Sequence, residues 1–510
     1  MQHAFAPARL LVVASGLTLA FRFWLAAQFP ITGDEAYFIW WGKLPDWGFY
    51  DHPPMIGWWL AALLTVSDAP AWLRLPQIVQ PVVLALAVRW AWPRLWPQQA
   101  ERRDWIALLV LLAPVNVWNV FITTDTALIY FAVLSGLAWL LAVRSNGPDR
   151  LRAYLFCGIL LAGAVLSKYF VALLGFAFLI DVLLRRKTTA VAGLVIAYGL
   201  TVPALGLMGW WNYENCWPNY MFNFVNRHEA NQGLNWTTPL LYPAMLLYIL
   251  TPPVLWMLFR RHPASADFFP HDPRDRTLLI LAAVPLLLFA LLSLVKSIGL
   301  HWVLSFVPFV LMLALRRARE AAVPRLATFF LGFAALHLAV ILVGAKLPLE
   351  TWKSLKMYPG IVLTFESQAL IERVQAGDSL LVSDGYSNAV TLGYNAGKYV
   401  PVIGMGSGHA RHDDILMDWR PYAGRDITIL RKTGPRPGEY AAWFRSVTEE
   451  SFEYRGARFW VVRGQGFDYA RYREDILEPI RRRYYAVPTW LPGTACYFCD
   501  RYFPERSCHR

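Results

Sequence analysis

The sequence predicts a polytopic α-helical membrane protein that carries a soluble α/β domain at its carboxyl end. Of its 510 residues, 56% are hydrophobic and 16% are charged, and the mean hydropathy is +0.36. Soluble proteins carry about 25% charged residues. Several segments of about 17–22 residues contain almost no charge, which is long enough to cross a hydrocarbon core roughly 30 Å thick. The apolar content excludes a disordered chain, and five cysteines in so long a sequence exclude a disulfide scaffold.

Eleven apolar segments are interpreted as membrane spans. The first is interpreted as a span rather than a cleaved signal peptide, because it contains Arg22, lacks a clear small-residue cleavage site and is followed by many further spans. The segments are 9–30, 76–93, 105–122, 126–143, 153–167, 170–184, 189–210, 237–259, 277–295, 300–315 and 326–346.

Lys and Arg are distributed unequally between the loops that join these spans. One set of alternate loops holds eighteen of them, including Arg185, Arg186 and Lys187, whereas the opposite set holds five. The positive-inside rule therefore places the first set and the amino terminus in the cytoplasm, and eleven spans then place the carboxyl terminus outside. Because topology explains most of the net charge of +13, no nucleic-acid partner is predicted.

The composition changes near residue 347. Short β-rich runs at 378–383, 398–403, 426–430 and 458–462 alternate with polar turns that contain glycine. Residues 347–510 are therefore predicted to form a soluble α/β domain on the outer face, large enough to bury its own core. Residues 1–346 form the predicted membrane domain.

The first outer loop, residues 31–75, is too long for a plain connection. It carries Asp34-Glu35 directly after the first span, then an aromatic stretch with Tyr37, then Asp51-His52. Acidic residues at a membrane boundary cost free energy unless they are solvated, paired or functional. Asp34 and Glu35 are therefore candidate catalytic residues, and Tyr37, Asp51 and His52 are candidate substrate contacts. The alternative is that the two acids cap a helix, where carboxylates are favoured.

Three more charged residues are expected at the outer ends of spans. Asp125, in the run Thr123-Thr124-Asp125-Thr126, is a third catalytic candidate, and its alternative role is a helix N-cap. Lys168 lies in a very short outer turn and is a candidate for holding a lipid-linked phosphate as a compact point charge. Its alternative is a side chain that merely extends to the interface. Arg74 is a further cation on the face where cations are few, and hence a candidate anion ligand.

The outer loop 211–236 is dense in Trp, Tyr and Asn. Aromatic rings and amides suit sugar faces and hydroxyls, so Trp211, Asn212 and His228 are candidate substrate contacts, as is His301 in a later outer turn. Arg227 suits a phosphate. The alternative for the aromatic residues is an interfacial belt. Acids, cations and aromatics that meet on one membrane face indicate a reaction on a lipid-linked phosphate substrate.

The run GDEAYFIWWGKLPDWGFYDHPPMIGWWL at 33–60 resembles the first outer loop of bacterial glycosyltransferase family 39. That family is related to the dolichyl-phosphate-mannose protein mannosyltransferases and the lipid A aminoarabinose transferases. Further matches follow in the right order over about the first 310 residues. They are Arg74-Leu75-Pro76, TTDTAL at 123–128, LSKY at 166–169, WNYENCWPNYMFNFVNRH at 211–228 and His301-Trp302.

The resemblance implies the GT-C membrane fold and an active site at the outer face of a bacterial inner membrane. It implies an inverting transfer from a polyprenyl-phosphate sugar donor to a periplasmic acceptor, either lipopolysaccharide, another glycolipid or a protein. Asp34 matches the catalytic Asp of the family, which acts as general base on the acceptor hydroxyl. Lys168, Arg227 and Arg74 would then bind the donor phosphate, whose charge grows as it leaves. Asp125 would support Asp34, bind a sugar hydroxyl or hold a cation.

A few other motifs are given plainer interpretations. Gly404-Met405-Gly406-Ser407-Gly408 lacks the spacing of a dinucleotide motif and is predicted to be a turn. The residues that follow are predicted to lie in a solvated loop, with contact to the acceptor as the alternative; they are His409, Arg411, His412, Asp413 and Asp414. Two of Cys496, Cys499 and Cys508 are expected to form a disulfide rather than a zinc site, with Cys157 and Cys216 unpaired. Glu35, Asp51 and His52 have no recognised metal-ligand spacing. No cofactor is therefore assigned, although a divalent cation is possible.

Two other functions stay open on the residues alone. A transporter or flippase of a lipid-linked substrate would place its ionisable residues near the middle of the bilayer, between broken helices. A non-catalytic envelope assembly protein would depend on its outer domain and not on Asp34.

Overall fold

The computed structural model describes residues 7–226, 237–259, 270–374, 377–493, 495–506 and 508. The chain divides into two compact units. The membrane unit consists of Met1–Phe29, Ser67–Gly206 and Asn231–Ala345, and the α/β unit consists of Pro30–Val66, Leu207–Ala230 and Lys346–Arg510. The α/β unit therefore includes most of the first outer loop and part of the loop after residue 210, as well as the predicted carboxyl-terminal domain.

Long apolar helices build the membrane unit. Within the described residues, six are long and apolar enough to cross a membrane. They are Pro7–Gln28, Pro70–Leu95, Thr124–Arg144, Thr188–Glu214, Pro273–Leu292 and Glu320–Gly344. Thr238–Leu250 and Pro252–Phe259 form a pair bent by 99°, which makes a seventh if the pair is one span. The number of eleven spans stays a prediction.

The remaining predicted spans correspond to helices outside this set. These are Arg103–Leu111, Pro114–Trp118, Gly147–Val165, Ala172–Arg185 and Val307–Arg317. The segment predicted as 105–122 is divided because Pro114 lacks an N–H and cannot continue the preceding helix. Residues 119–123 follow without helical structure and lead directly into Thr124.

Arg22 donates hydrogen bonds to backbone carbonyl groups near the break in this predicted span. Its guanidinium is fully buried and donates hydrogen bonds to the carbonyl oxygens of Asn116 and Asn119 at 2.5 and 2.7 Å, and to that of Ile78 at 2.9 Å. Unpaired carbonyl groups in an apolar environment are costly. The cation inside the first span therefore has a structural explanation.

A four-stranded sheet forms the centre of the α/β unit. Its strands are β1 (Leu380–Ser383), β2 (Ile427–Arg431), β3 (Phe444–Tyr454) and β4 (Ala457–Phe467), in the order β1-β2-β4-β3. β1 and β2 are parallel, with Leu381 opposite Thr428, and the other pairs are antiparallel. Successive residues of a strand point to opposite faces of the sheet, and the consecutive residues Val461 and Val462 belong to different apolar clusters. Both faces of the sheet are therefore covered.

The predicted strands agree with this sheet except in two places. Residues 398–403 contribute a single bridge between Val402 and Ser383 instead of a strand. β3 was missed, because its largely exposed residues give no apolar alternation. It is joined to β4 by Arg455 and Gly456, both with positive φ, which matches the right-handed twist of a tight hairpin.

The first outer loop and the carboxyl-terminal segment both supply helices to the α/β unit. The first outer loop forms Gly33–Lys43 and Met55–Leu64, which pack against each other. A Cβ on Gly42 would lie 2.6 Å from Leu60 Cβ, so glycine allows this close approach. The carboxyl-terminal segment adds Tyr358–Phe365, Ser367–Val374, Tyr386–Ala396, Glu478–Tyr484 and Tyr497–Tyr502.

Candidate active site

The two acids after the first span occupy different environments. Thr32 is the N-cap of helix Gly33–Lys43, and the buried Glu35 completes a capping box. Its Oε2 accepts hydrogen bonds from the Thr32 N–H and from Thr32 Oγ1, both at 3.0 Å. Glu35 is therefore used to satisfy the free donors at the helix start. Asp34, one residue earlier, is exposed.

Asp34 has a partner from the distant carboxyl-terminal segment. The hydroxyl of Tyr386 donates a hydrogen bond of 2.9 Å to Asp34 Oδ1. Tyr386 occupies the first turn of helix Tyr386–Ala396, which packs on helix Gly33–Lys43. The sequence analysis missed Tyr386, since nothing in its local sequence distinguishes it from other tyrosines.

Asp51 lies within a group of histidines and tyrosine. It is 3% exposed, and its Oδ2 is 3.2 Å from His52 Nδ1 and 3.9 Å from His409 Nδ1. The Tyr37 hydroxyl donates to Asp51 Oδ1 at 3.3 Å. Burial by itself would raise the pKa of the Asp51 carboxyl, but the charges and hydrogen bonds of His52 and His409 lower it well below its ordinary value. Asp51 is therefore an ionised carboxylate that lies beside two imidazole rings and a tyrosine hydroxyl.

The segment that follows residue 210 holds the loop carrying Asp51. Trp211 Nε1 donates to Asp46 Oδ2 at 3.0 Å, and a Cβ on Gly48 would collide with the Trp211 ring. Further along, Asn219 donates to the Phe49 carbonyl and Asn223 to the Asp51 carbonyl, both at 2.9 Å. The amides in this run thus bind backbone carbonyl groups of the first outer loop.

Asn212 likewise makes contacts within its own segment. Its Nδ2 donates to the Met208 carbonyl at 2.8 Å, and its Oδ1 accepts from the Tyr220 N–H at 3.1 Å. Asn212 is 4% exposed and Trp211 is 2% exposed. In this structure both side chains support the fold, and their predicted contact with substrate stays a prediction.

The segment Arg411 to Asp414 is buried, so the expectation of a solvated loop was wrong. Arg411 pairs with Asp414 at 3.2 Å, and the hydroxyl groups of Tyr399 and Tyr485 donate to Asp413 and Asp414. Burial lowers the pKa of the His412 imidazole to about 4 and raises that of the Asp413 carboxyl to about 7. The polar sequence was misleading because Arg411 and the two acids are paired with buried side chains instead of with water.

Two disulfides lie in the α/β unit. Cys499 pairs with Cys508, which confirms the expected bond among the tail cysteines. Cys216 pairs with Cys496 across 280 residues, so the expectation that Cys216 stays unpaired was wrong. Its local sequence gave no indication of a partner so far away. Cys157 is free and buried, as expected.

The membrane unit presents a second group of polar residues. Asp125 lies in the first turn of helix Thr124–Arg144, where Thr123 and Thr126 form the capping box. Lys168 Nζ lies 2.6 Å from Asp125 Oδ2, and both side chains are nearly buried. Asp125 Oδ1 has no hydrogen-bond partner within the described part of the chain. This leaves one carboxylate oxygen of the pair for another donor.

Aromatic and imidazole rings surround this ion pair. His301 Nε2 lies 3.6 Å from Asp125 Oδ2, and 43% of the His301 side chain is exposed. The Lys168 ammonium is 5.3 Å from the ring of Phe170 and 5.9 Å from that of Trp302. The predicted candidates Asp125, Lys168 and His301 are therefore neighbours.

Arg74 has a different environment from Lys168. It is fully buried, and its Nη1 donates to the carbonyl oxygens of Ala26 and Phe29 at 2.7 and 2.6 Å. Ala26 lies in the last turn of helix Pro7–Gln28 and Phe29 directly follows it, where carbonyl groups have no intrahelical partners. The geometry favours a structural role, and phosphate binding by Arg74 stays a prediction. Arg227 and His228 lie outside the described residues.

Comparisons with known proteins agree with the motifs. Residues 51–211 match the family model described as dolichyl-phosphate-mannose-protein mannosyltransferase. A lipid A galacturonosyltransferase of Rhizobium johnstonii, RgtD, is 27% identical over 310 residues. That match spans 57% of this chain and 62% of the relative, which is less than two thirds of its length.

Solved structures extend the comparison to almost the whole chain. ArnT from Cupriavidus metallidurans, bound to undecaprenyl phosphate, matches with a TM-score of 0.62 and 15% identity over 89% of this chain and 98% of that one. Its apo form matches equally well, over 90% and 98%. The chain therefore has the GT-C fold of a multi-pass membrane protein with a carboxyl-terminal α/β part, and its resemblance to the family 39 glycosyltransferases is confirmed.

Proposed function

We propose that this chain is an inverting membrane glycosyltransferase, with Asp34 as its general base. It transfers a sugar from a polyprenyl-phosphate donor to a lipid acceptor at the outer face of a bacterial inner membrane. The relative acts on lipid A, and the matched ArnT structure contains undecaprenyl phosphate. Both observations support a lipid on each side of the reaction. A glycolipid of the lipopolysaccharide type is the preferred acceptor, ahead of a protein.

The environment of Asp34 carries the proposal. Glu35 and Thr32 cap the helix, so Asp34 is not needed for capping and its carboxylate stays exposed. A general base must reach the proton that it removes, and an exposed carboxylate held by one hydrogen bond can do so.

The reaction is a single displacement at the anomeric carbon. The acceptor hydroxyl oxygen attacks this carbon while Asp34 takes the hydroxyl proton. The bond between the anomeric carbon and the phosphate oxygen breaks, and its electron pair leaves with the polyprenyl monophosphate. Attack opposite to the leaving phosphate inverts the anomeric configuration.

Lys168 is the residue that we assign to the leaving phosphate. An ammonium group has three N–H donors, and one of them is directed at Asp125 Oδ2. The other donors can stabilise the negative charge that grows on the phosphate as the bond breaks. Asp125 then orients Lys168, His301 lies beside the pair, and Arg227 is a further candidate for the phosphate.

Asp51, His52 and Tyr37 are assigned to acceptor or sugar hydroxyls. The hydrogen bond from Tyr37 to Asp51 and the close approach of His52 to the same carboxylate fix these polar groups before substrate arrives, and His52 keeps part of its surface exposed. Preorganised polar groups of this kind orient a ligand at little cost. The sugar itself is not identified by these contacts.

The test is mass spectrometry of envelope glycolipids from a strain that lacks the gene. The strain is complemented with wild type, Asp34→Asn or Asp68→Asn, at equal amounts in the membrane. Asp68 is an exposed carboxylate of the same predicted outer loop and serves as the matched control. We expect wild type and Asp68→Asn to restore a sugar-sized mass on a lipid. Asp34→Asn should lose about 10²–10⁴-fold in rate, the typical contribution of a general base.

Either of two outcomes would contradict the proposal. Restoration of the product by Asp34→Asn would exclude Asp34 as the base. A deletion strain with unchanged lipids and proteins, or with a lipid-linked precursor accumulated on the inner leaflet, would instead favour the transporter interpretation.

A further inference from the structure

The carboxyl-terminal part of the chain supplies a hydrogen bond to the base, and we propose that Tyr386 is a positioning residue for Asp34. The inference rests on the proposed function, since it concerns the carboxylate to which that function assigns the proton. It gives residues 346–510 a role in the chemical step.

The first argument is the geometry of the bond. Tyr386 donates to Asp34 Oδ1 at 2.9 Å, a good distance for a hydroxyl donor and a charged acceptor. A carboxylate on an exposed side chain otherwise rotates freely about two torsions. Fixing Oδ1 leaves Oδ2 in one orientation to take the proton of the acceptor hydroxyl.

The second argument is that Tyr386 is itself fixed. Its ring centroid lies 5.7 Å from the rings of both Tyr37 and His409. Tyr37 donates to Asp51 and His409 lies beside the same carboxylate, so the contacts of Tyr386 extend to the second acid of the first outer loop. A side chain held by its neighbours can hold a catalytic group within the roughly 0.5 Å that catalysis needs.

The third argument is the close approach of the two helices. A Cβ on Gly33 would lie 2.1 Å from Ser387 Oγ and 3.0 Å from the Ser387 carbonyl oxygen. Glycine next to Asp34 thus allows the first turn of helix Tyr386–Ala396 to reach the carboxylate. The bond depends on this packing and not on a long flexible side chain.

The experiment compares Tyr386→Phe with Tyr454→Phe in the full-length purified enzyme. Tyr454 also donates to a carboxylate of the same unit, Glu366 Oε2 at 3.4 Å, and is likewise partly buried. The total lipid extract of the deletion strain, mixed with that of the wild type, supplies acceptor and donor. The initial rate of product formation is measured by mass spectrometry at increasing amounts of extract. This gives the maximal rate and, separately, the amount of extract that produces half of that rate.

We expect Tyr386→Phe to lower the maximal rate about 10–100-fold, because a misplacement of about 1 Å costs about 10²-fold. The half-saturating amount of extract and the Tm of Tyr386→Phe should stay close to those of wild type. The maximal rate of Tyr454→Phe should stay within about two-fold of the wild-type rate. A loss through misfolding alone would instead lower the Tm. A maximal rate of Tyr386→Phe within about two-fold of wild type would overturn the inference.

Asp34→Asn in the same assay separates the two proposals. If Asp34→Asn is inactive while Tyr386→Phe is fully active, the positioning role fails and the proposed function stands. If Asp34→Asn is fully active, the assignment of Asp34 as base fails, and the positioning role fails with it.

Discussion

At the scale of single residues, threonine caps determine which acids are free to react. Thr32 and Thr123 each cap a helix, and the partner three residues later completes the box in both cases. Asp34 and Asp125 both occupy a first turn without being the cap. The sequence left capping and function open as alternatives for both acids, because neighbouring Thr, Asp and Glu residues can all cap a helix. In the structure Thr32 and Thr123 have the extended backbone conformation of an N-cap, so the threonines are the capping residues.

The buried acid Asp413 provides a prediction on pH dependence at this scale. Its pKa is about 7 in the folded protein, mainly because of burial, against an ordinary value of 3.8. The folded state therefore prefers the protonated form. The stability that this preference contributes is complete below about pH 4 and is lost as the pH rises through 7.

Asp413→Asn removes this titration, so the variant should gain stability relative to wild type between pH 5 and pH 8. One pKa unit corresponds to about 1.4 kcal/mol, and we expect a relative gain of about 1–3 kcal/mol. The measurement is the Tm of both proteins across this range. Asp378→Asn, at an exposed position of the same unit, should show a difference from wild type that does not change with pH. A constant difference for Asp413→Asn would contradict the prediction.

The residues of the site were predictable where a motif is local and were missed where it is not. Asp125, Lys168 and His301 were identified from their places at the ends of spans, and the structure brings them together. Tyr386 and Asp34 are separated by 352 residues, and one sequence gives no signal for such a pair. Burial of Arg411 to Asp414 was missed because composition does not reveal mutual pairing.

At the scale of elements, periodicity located the long helices and most strands, and the errors have local causes. Pro114 divides one predicted span, and the run 398–403 makes one bridge because its backbone joins the sheet at Val402 alone. The long strand β3 has a largely exposed surface, and exposed edge strands do not show an apolar pattern. The short helices of the first outer loop could not be assigned to the α/β unit from sequence, since that assignment depends on tertiary packing.

Helix Gly33–Lys43 gives a prediction at this scale. Gly33→Ala should lower activity at least about ten-fold, because its Cβ would displace Ser387 and with it the helix that carries Tyr386. Overpacking of this kind costs about 1–3 kcal/mol of stability. The measurements are the initial rate and the Tm of the full-length enzyme. Gly360→Ala is the matched control, since a helical Cβ there would meet only the end of the Lys432 side chain at 3.4 Å. Full activity in Gly33→Ala would show that the two helices need not approach so closely.

At the scale of the whole molecule, two distant loops fold with the carboxyl-terminal segment. The order of apolar and polar segments predicted a membrane part and a soluble part, and the change of composition near 347 marked the last boundary. Residues 30–66 and 207–230 join the same unit as 346–510, which a linear division of the chain cannot express. The sequence analysis expected Cys216 to stay unpaired. Its disulfide with Cys496 instead links residues 207–230 covalently to the carboxyl-terminal segment.

The Cys216–Cys496 bond should therefore stabilise the α/β unit more than the Cys499–Cys508 bond. If a disulfide acts by lowering the entropy of the unfolded chain, it stabilises the folded protein more when it closes a longer loop. The Cys216–Cys496 bond joins residues 280 positions apart, and the Cys499–Cys508 bond joins residues 9 positions apart. The long bond also fixes the segment whose Asn219 and Asn223 hold the backbone of residues 49–51. Its removal should lower both the Tm and the rate of transfer.

Both cysteines of a pair are replaced together in this test, because Cys496 Sγ lies 3.2 Å from Cys508 Sγ and a single free thiol there could exchange partners. We expect Cys216→Ser with Cys496→Ser to lose about 2–4 kcal/mol, the usual worth of a native disulfide, and to show the lower Tm of the two double variants. Cys499→Ser with Cys508→Ser should lose less and keep most of its activity. If the short loop proved the more important for stability, the long bond would be a consequence of the packing of residues 207–230 and not a cause of it.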